Sequence, residues 1–180
     1  ILYSFVWHTF CDWYLEFVKP VFQEGSDSAQ KKATQLVLAQ ALNRIVRLLH
    51  PFAPFITEEI FQKLPIRGKA LIIDPYPTVK TDRTLLALGS EDVARDLDLV
   101  REVITALRNI RGENRIKPGV KINARLAPQD ERSQKILGEN KLSITTMARI
   151  DQCEIGPAGN LSKCAVQPVQ VADLKVDVIV

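Results

Sequence analysis

Cysteine, histidine and glycine are scarce in this chain: three, two and eight among 180 residues. The cysteines, Cys11, Cys153 and Cys164, are odd in number and never stand as a C-x-x-C pair. That spacing excludes a disulfide framework. With only His8 and His50 to help, it also leaves no ligand set for a metal, and a reducing compartment is expected. No apolar run approaches the ~20 residues needed to cross a bilayer. Residues 1–10 are apolar but lack the basic start and small-residue cleavage site of a signal peptide, so the chain reads as cytoplasmic, without a membrane partner. A Gly-rich phosphate loop, H-E-x-x-H and a nucleophile–base pair are all missing, so no catalytic residue and no cofactor are assigned to these residues.

What is present is ordinary in amount and uneven in distribution. Hydrophobic residues make up 46% and charged residues 25%, enough for one good-sized core or two small ones. The net charge is only +3. Residues 1–28 carry Asp12, Glu16, Glu24 and Asp27 against Lys19 alone. Residues 95–125 carry Arg95, Arg101, Arg108, Arg111, Arg115, Lys117, Lys121 and Arg125 against Asp96, Asp98, Glu102 and Glu113. Positive charge concentrated on a nearly neutral chain predicts one basic face.

Periodicity places the elements. A first helix is already under way at Ile1, with Ser4, His8, Asp12, Glu16 and Lys19 about a turn apart on its polar edge, and Pro20 ends it. A chain without an initial Met that opens inside a helix is expected to be part of something larger. A turn at residues 25–28 caps a second helix over 29–49, with Leu38, Leu42, Ile45 and Leu49 as its buried stripe. The run His50-Pro51-Phe52-Ala53-Pro54 breaks it, and Pro54 opens a short third helix that Pro65 closes. Residues 64–84 read as an extended connector. A fourth helix over 90–114 carries Leu97, Val100, Ile104 and Leu107 on one stripe. Arg101, Arg108 and Arg115, seven apart, drift only ~20° per step and line up beside it. Arg111 points nearer the apolar sector and needs a partner there. After Pro118-Gly119 the pattern alternates, with Val120, Ile122, Ala124 and Leu126 on one side. Two short helices follow, to 137 and over 140–148. Strands are expected at 151–155, 165–171 and 174–180.

The fold expected from this pattern is mainly α: an antiparallel helical bundle over residues 1–117, then a small α+β unit over 118–180 with a short antiparallel sheet. The aromatics Trp7, Phe10, Trp13, Tyr14 and Phe17 are expected to be core, and the three cysteines to act as small buried hydrophobes. Asp12 and Glu16 read as a polar edge rather than an acid/base pair. His50 reads as a ring at a helix end, placed to cap carbonyls. The arginine series is the better functional candidate. Its bland reading is a solvated helix face; against that, Arg predominates over Lys, and its planar fork suits phosphate. The residues alone leave both readings open.

Two motifs then point to a family. Trp7-x-x-Phe10-Cys11-Asp12-Trp13-Tyr14-Leu15-Glu16, followed by Lys19-Pro20, resembles the helix that marks the anticodon-binding region of valyl-tRNA synthetases. Leu48-Leu49-His50-Pro51-Phe52-x-Pro54-Phe55-Ile56-Thr57-Glu58-Glu59 is similar to a segment shared by the valyl, isoleucyl and leucyl class I enzymes. Tyr76-Pro77 and Arg108-Asn109-Ile110-Arg111-x-Glu113 continue the pattern in order, so that the resemblance covers residues 1 to about 126. Phe61 departs from a frequent tryptophan, and Gly112 from a usual alanine. Residues 114–117 are more basic than the family pattern.

The resemblance implies a whole enzyme that uses ATP to charge valine tRNA through other domains of the same polypeptide. At least one helix would precede Ile1 and a coiled-coil tail would follow Val180. The signatures H-I-G-H and K-M-S-K-S are absent here, as is the editing domain. By this resemblance, Arg101, Arg108, Arg111, Arg115, Lys117 and Lys121 would contact backbone phosphates of the anticodon stem. Trp13 and Glu16 would lie near the bases that are read. The alternatives are a structural or protein-interaction module, or the equivalent region of an isoleucyl or leucyl relative.

Overall fold

The computed structural model describes residues 1–23, 27–66, 68–78, 89–159 and 164–180. The chain forms two compact units, Ile1–Leu88 and Gly89–Val180. Residues 24–26 of the expected capping turn, and 67 and 79–84 of the expected connector, lie outside the described residues.

In the first unit, helix α1 (residues 2–18) is not a uniform α-helix. Short α segments at Leu2–Ser4 and Leu15–Val18 flank a π-helical stretch, Phe5–Tyr14, and a 3-10 turn at Lys19–Phe22 follows. Pro20 therefore sits inside the closing turn, near its start, where its missing N–H leaves no gap in the bonding. Rings pair four residues apart along α1: Tyr3 with Trp7, Phe10 with Tyr14, and Trp13 with Phe17, at centroid separations of 6.3, 5.8 and 6.1 Å. Of these rings only Phe10 is buried, and Tyr3 and Trp7 are exposed. The aromatic run is thus less a core than the sequence suggests.

Helix α2 (Ser28–Leu49) starts at Asp27, whose carboxylate accepts from the N–H groups of Ala29 and Gln30 at 3.1 and 3.3 Å. That bonding satisfies two of the donors left over at a helix start. Helix α3 (Pro54–Gln62) begins on Pro54 as expected. Val46, Phe61, Leu64 and Leu71 form the small core between them, with Leu42 and Ile60 against it. Polar ties hold the following chain to these helices. Glu58 accepts from Gln62 Nε2 at 2.6 Å and from Leu71 N–H at 2.8 Å. Those bonds, the Gln62 one first, hold its carboxyl below the usual range. Arg47 pairs with Asp74 at 2.5 Å, and buried Asn43 donates to Ile66 O. His50 meets the Thr57 hydroxyl at 2.8 Å rather than a helix-end carbonyl.

The second unit comprises α4 (Glu91–Glu113), β1 (Ile122–Pro128), α5 (Glu131–Glu139), α6 (Lys141–Ala148), β2 (Ile150–Ile155), β3 (Val166–Val171) and β4 (Leu174–Ile179). The strands form one sheet in the order β2-β1-β4-β3. β1 and β2 run parallel, whereas β4 is antiparallel to both β1 and β3. This corrects the expected fold class: the fold is α+β and its sheet is mixed. The cause is the connection. Two short helices between β1 and β2 carry the chain back to its starting end, which a parallel pair requires. β3 and β4 are joined by the two residues Ala172 and Asp173, which force an antiparallel hairpin.

Helix α4, expected in a bundle, packs instead on β3 and β4 and against α5 and α6. Its buried face is Leu99, Val100, Val103, Ile104, Ala106, Leu107 and Ile110. Leu97, expected on the stripe, is 43% exposed. Asp130 caps α5, accepting from Ser133 N–H at 2.7 Å and from its hydroxyl at 2.6 Å. Only Cys153 of the cysteines is buried; Cys11 is half-buried and Cys164 exposed.

Candidate nucleic-acid interface

The basic residues gather where α4 ends. An α-helix leaves its last carbonyls without partners, and here the chain closes them by a left-handed turn. Arg115 takes φ 52°, its N–H donates to Gly112 O at 3.0 Å, and Ile116 N–H donates to Arg111 O at 2.9 Å. That reciprocal pair is the Schellman arrangement, normally built on glycine. Arg115 is therefore not the third member of a helical stripe. It lies beyond the helix, on an exposed turn.

The loop from Arg115 to Lys121 continues through a Pro118-Gly119 turn closed by Val120 N–H to Lys117 O at 3.0 Å. Arg115, Lys117 and Lys121 are all exposed along it. Lys121 comes within 3.7 Å of Asp151. Arg149, at the end of α6, borders the same loop and donates to Pro118 O at 2.6 Å. It too adopts a left-handed conformation, φ 56°. A shallow groove of about 470 Å³ lies beside it, lined by Gly119, Lys121, Thr145, Thr146, Arg149 and Ile150.

The remaining predicted residues fall into distinct settings. Arg108 is exposed and donates through Nε and Nη2 to Met147 O at 3.3 and 3.1 Å, capping the end of α6 from α4. Arg101, two turns further from the loop, pairs with Asp98 at 2.8 Å. Arg125, on β1, bonds Glu154 and is thereby neutralised. Arg111 alone is buried, at 8% exposure, and it bonds backbone carbonyls. Trp13 and Glu16 lie in the first unit, Trp13 stacked on Phe17 and Glu16 paired with Lys19 at 2.5 Å. The structure thus brings Arg108, Arg111, Arg115, Lys117 and Lys121 to one end of α4, while Trp13 and Glu16 stand apart in sequence and unit. Arg149 is the basic residue that the sequence reading missed. Its signal was weak, because an isolated arginine at a helix end carries no periodicity.

Nothing in this constellation resembles a catalytic centre. Burial pushes the Cys153 thiol up, opposite to what a nucleophile requires. Among the described residues no cluster of His, Cys, Asp or Glu could hold a metal, and no helix is long and apolar enough to cross a membrane. Exposed arginines and lysines on an ordered turn are instead suited to binding phosphate oxygens, where Arg gives direction and Lys a point charge.

The family described as the anticodon-binding domain of tRNA ligase matches residues 1–126, so the chain belongs to that family. The match runs from the first unit through α4 and the basic loop into β1.

Among individual relatives, the valine–tRNA ligase of Bdellovibrio bacteriovorus is 58% identical over 99% of this chain and 20% of its own length. That of Geobacter sulfurreducens is 39% identical over 95% of the chain and 19% of its own length. That of Geobacillus stearothermophilus is 40% identical over 78% and 15%. The chain spans about a fifth of the length of the curated relatives it matches.

Proposed function

We propose that this chain is the tRNA anticodon-arm-binding region of a valine–tRNA ligase. It positions the tRNA, while other domains in the same polypeptide carry out ATP-dependent aminoacylation in the cytoplasm. The observation that carries this reading is the identity of 58% along 99% of the chain to a valine–tRNA ligase. The basic loop after α4 gives it a physical basis. Arg108, Arg115, Lys117 and Lys121, with Arg101 further along α4, would neutralise backbone phosphates of valine tRNA and fix its orientation without reading sequence. Base readout would fall to the first unit, near Trp13 and Glu16, where a ring and a carboxylate offer stacking and hydrogen bonding. On this reading the phosphate contacts straddle the division expected at residues 117 and 118, because Arg101, Arg108, Arg115 and Lys117 precede it and Lys121 follows it.

Salt dependence tests this directly. Binding of valine tRNA to the full-length protein should weaken with salt, the logarithm of affinity falling by about 0.7–0.9 per phosphate for each logarithmic unit of salt. The double variant Arg108→Glu/Arg115→Glu should bind more weakly and with a shallower slope. Because Arg108 also caps α6, Lys117→Glu repeats the measurement at a side chain with no such role. An unchanged slope in both variants would refute the basic-face contact. Charging of valine rather than isoleucine or leucine by the full-length protein checks the assignment of amino acid.

A further inference from the structure

The burial of Arg111 sets it apart from its neighbours. A guanidinium out of water is costly unless its donors are satisfied, and here the partners are backbone. Nη2 donates to Val120 O at 2.7 Å and to Lys117 O at 3.3 Å, and Nη1 donates to Arg149 O at 3.3 Å. From the other side of the loop, Arg149 Nη1 donates to Pro118 O at 2.6 Å. Three carbonyls of the turn, at Lys117, Pro118 and Val120, are therefore drawn onto two arginines. The side chains of Arg115, Lys117 and Lys121 stay exposed.

We propose that Arg111 is a positioning residue: its buried guanidinium clamps the basic loop 115–121 in the conformation that presents Arg115, Lys117 and Lys121 to RNA phosphates. Arg111 itself touches no phosphate. A loop that begins at a left-handed arginine and turns at Pro118-Gly119 has few backbone bonds of its own, and without the clamp its basic side chains would be ordered only on binding. Ordering each such side chain and its backbone opposes association. The planar fork matters, because it reaches carbonyls of two separate segments at once. A lysine keeps the charge but presents it as a single point. This inference rests on the RNA-binding reading above, and two measurements keep their failures apart.

The first uses no RNA. In the full-length protein, Arg111→Lys should speed amide hydrogen exchange at Ile116 and Val120 of the loop, with exchange within α4 unchanged. Unaltered exchange there would overturn the clamp. The second uses valine tRNA. Arg111→Lys should lower affinity about tenfold, the cost of ordering the loop anew. The salt slope should stay the same, and in charging, KM for tRNA should rise while kcat holds. In Arg111→Gln, which removes the charge, a slope that falls by the value of one phosphate, about 0.7–0.9, with exchange unchanged in Arg111→Lys, would make Arg111 a direct contact and refute the proposal. If Arg111→Lys does not fold, Arg149→Ala removes the exposed half of the clamp, and amide exchange at Val120, whose N–H closes the turn on Lys117 O, should then rise. No rise would overturn the proposal. Failure of the parent protein to bind tRNA would refute the RNA reading while leaving the exchange result to decide the clamp.

Discussion

The two units of this chain solve the problem of apolar side chains in opposite ways. The unit Ile1–Leu88 buries little: among the described residues its buried apolar side chains are Phe10, Ile45, Val46, Phe61, Leu64 and Leu71. It leaves Tyr3, Phe5, Trp7, Phe52, Phe55, Ile72 and Tyr76 on the surface. The unit Gly89–Val180 sandwiches α4 against a sheet and encloses most of its apolar residues, Leu107, Leu126, Leu137, Ile144, Leu174 and Val178 among them. What it exposes is mainly charge. The difference teaches where to look for each kind of contact: a rigid, well-packed unit holds basic side chains in register, while a thinly cored unit offers rings. It also separates stability from recognition, because the residues that hold the second unit together are not those that face solvent at the basic loop.

Removing the central ring of the first unit should have the largest effect. Phe61 is completely buried, and Phe61→Ala should cost about 3–5 kcal/mol. Because that core is small, limited proteolysis should then cut within residues 1–88 while 89–180 stays protected. Simultaneous loss of both would break the contrast drawn here. The second unit should yield less to a change at its rim. Asp130→Ala removes the α5 cap and should cost about 1 kcal/mol, read from denaturant midpoints. The same cap gives a pH test. The Ser133 hydroxyl, foremost among the causes, holds the Asp130 carboxyl below its usual 3.8 despite the opposing effect of burial. A depressed carboxylate adds stability that is fully present above pH 3.8 and is lost as pH falls through the folded value. Thermal melts of Asp130→Asn should lack that component of the acid destabilisation seen in the parent.

Smaller effects sharpen the picture of the basic loop. Arg115 occupies a left-handed position that costs a side-chain-bearing residue roughly 1 kcal/mol. Arg115→Gly should therefore raise stability by up to that amount while shedding one phosphate contact. A loss of both stability and affinity would mean that the arginine side chain itself supports the turn. Smallest of all, a Cβ built on Gly112 would meet nothing within 4 Å. Gly112→Ala should add about 0.5–1 kcal/mol to α4, visible as a modest rise in melting temperature with tRNA affinity unchanged.

Much of the secondary structure was legible because periodicity reports which face of an element is buried. The alternation at Ile122, Ala124 and Leu126 marks β1, and the helical stripe at Val100, Ile104 and Leu107 marks α4. Pro54 and Asp27 signal their helix starts through chemistry local to the chain. The mixed sheet was not legible, since an alternating strand looks the same whether its neighbour runs parallel or antiparallel. The π-helical winding of Phe5–Tyr14 left no mark either, because the spacing of its polar residues fits an α-helix nearly as well. At the candidate interface, charge density marked the stretch of chain that forms the exposed basic loop, and helical phase flagged Arg111 as needing a partner. Its partners could not be named, since a backbone carbonyl belongs to every residue type.

The sequence by itself determined the family, the positions of most helices and strands, and the concentration of positive charge between residues 95 and 125. These follow from motifs and from periods of two and three to four residues, which act over one or two turns of chain. Only the tertiary structure decided which arginines face water. Arg108, Arg111 and Arg115 lie within eight residues of one another, yet one caps a neighbouring helix, one is buried on three carbonyls and one is held on a left-handed turn. The difference arises because Arg115 is held by carbonyls of α4 itself, whereas Arg111 meets residues 117–120 folded back just after the helix. Arg108 and Arg111 also meet residues 147–149, brought to α4 through β1 and two short helices. Solvent exposure of a long cationic side chain is a property of that assembly, not of its own position in the chain.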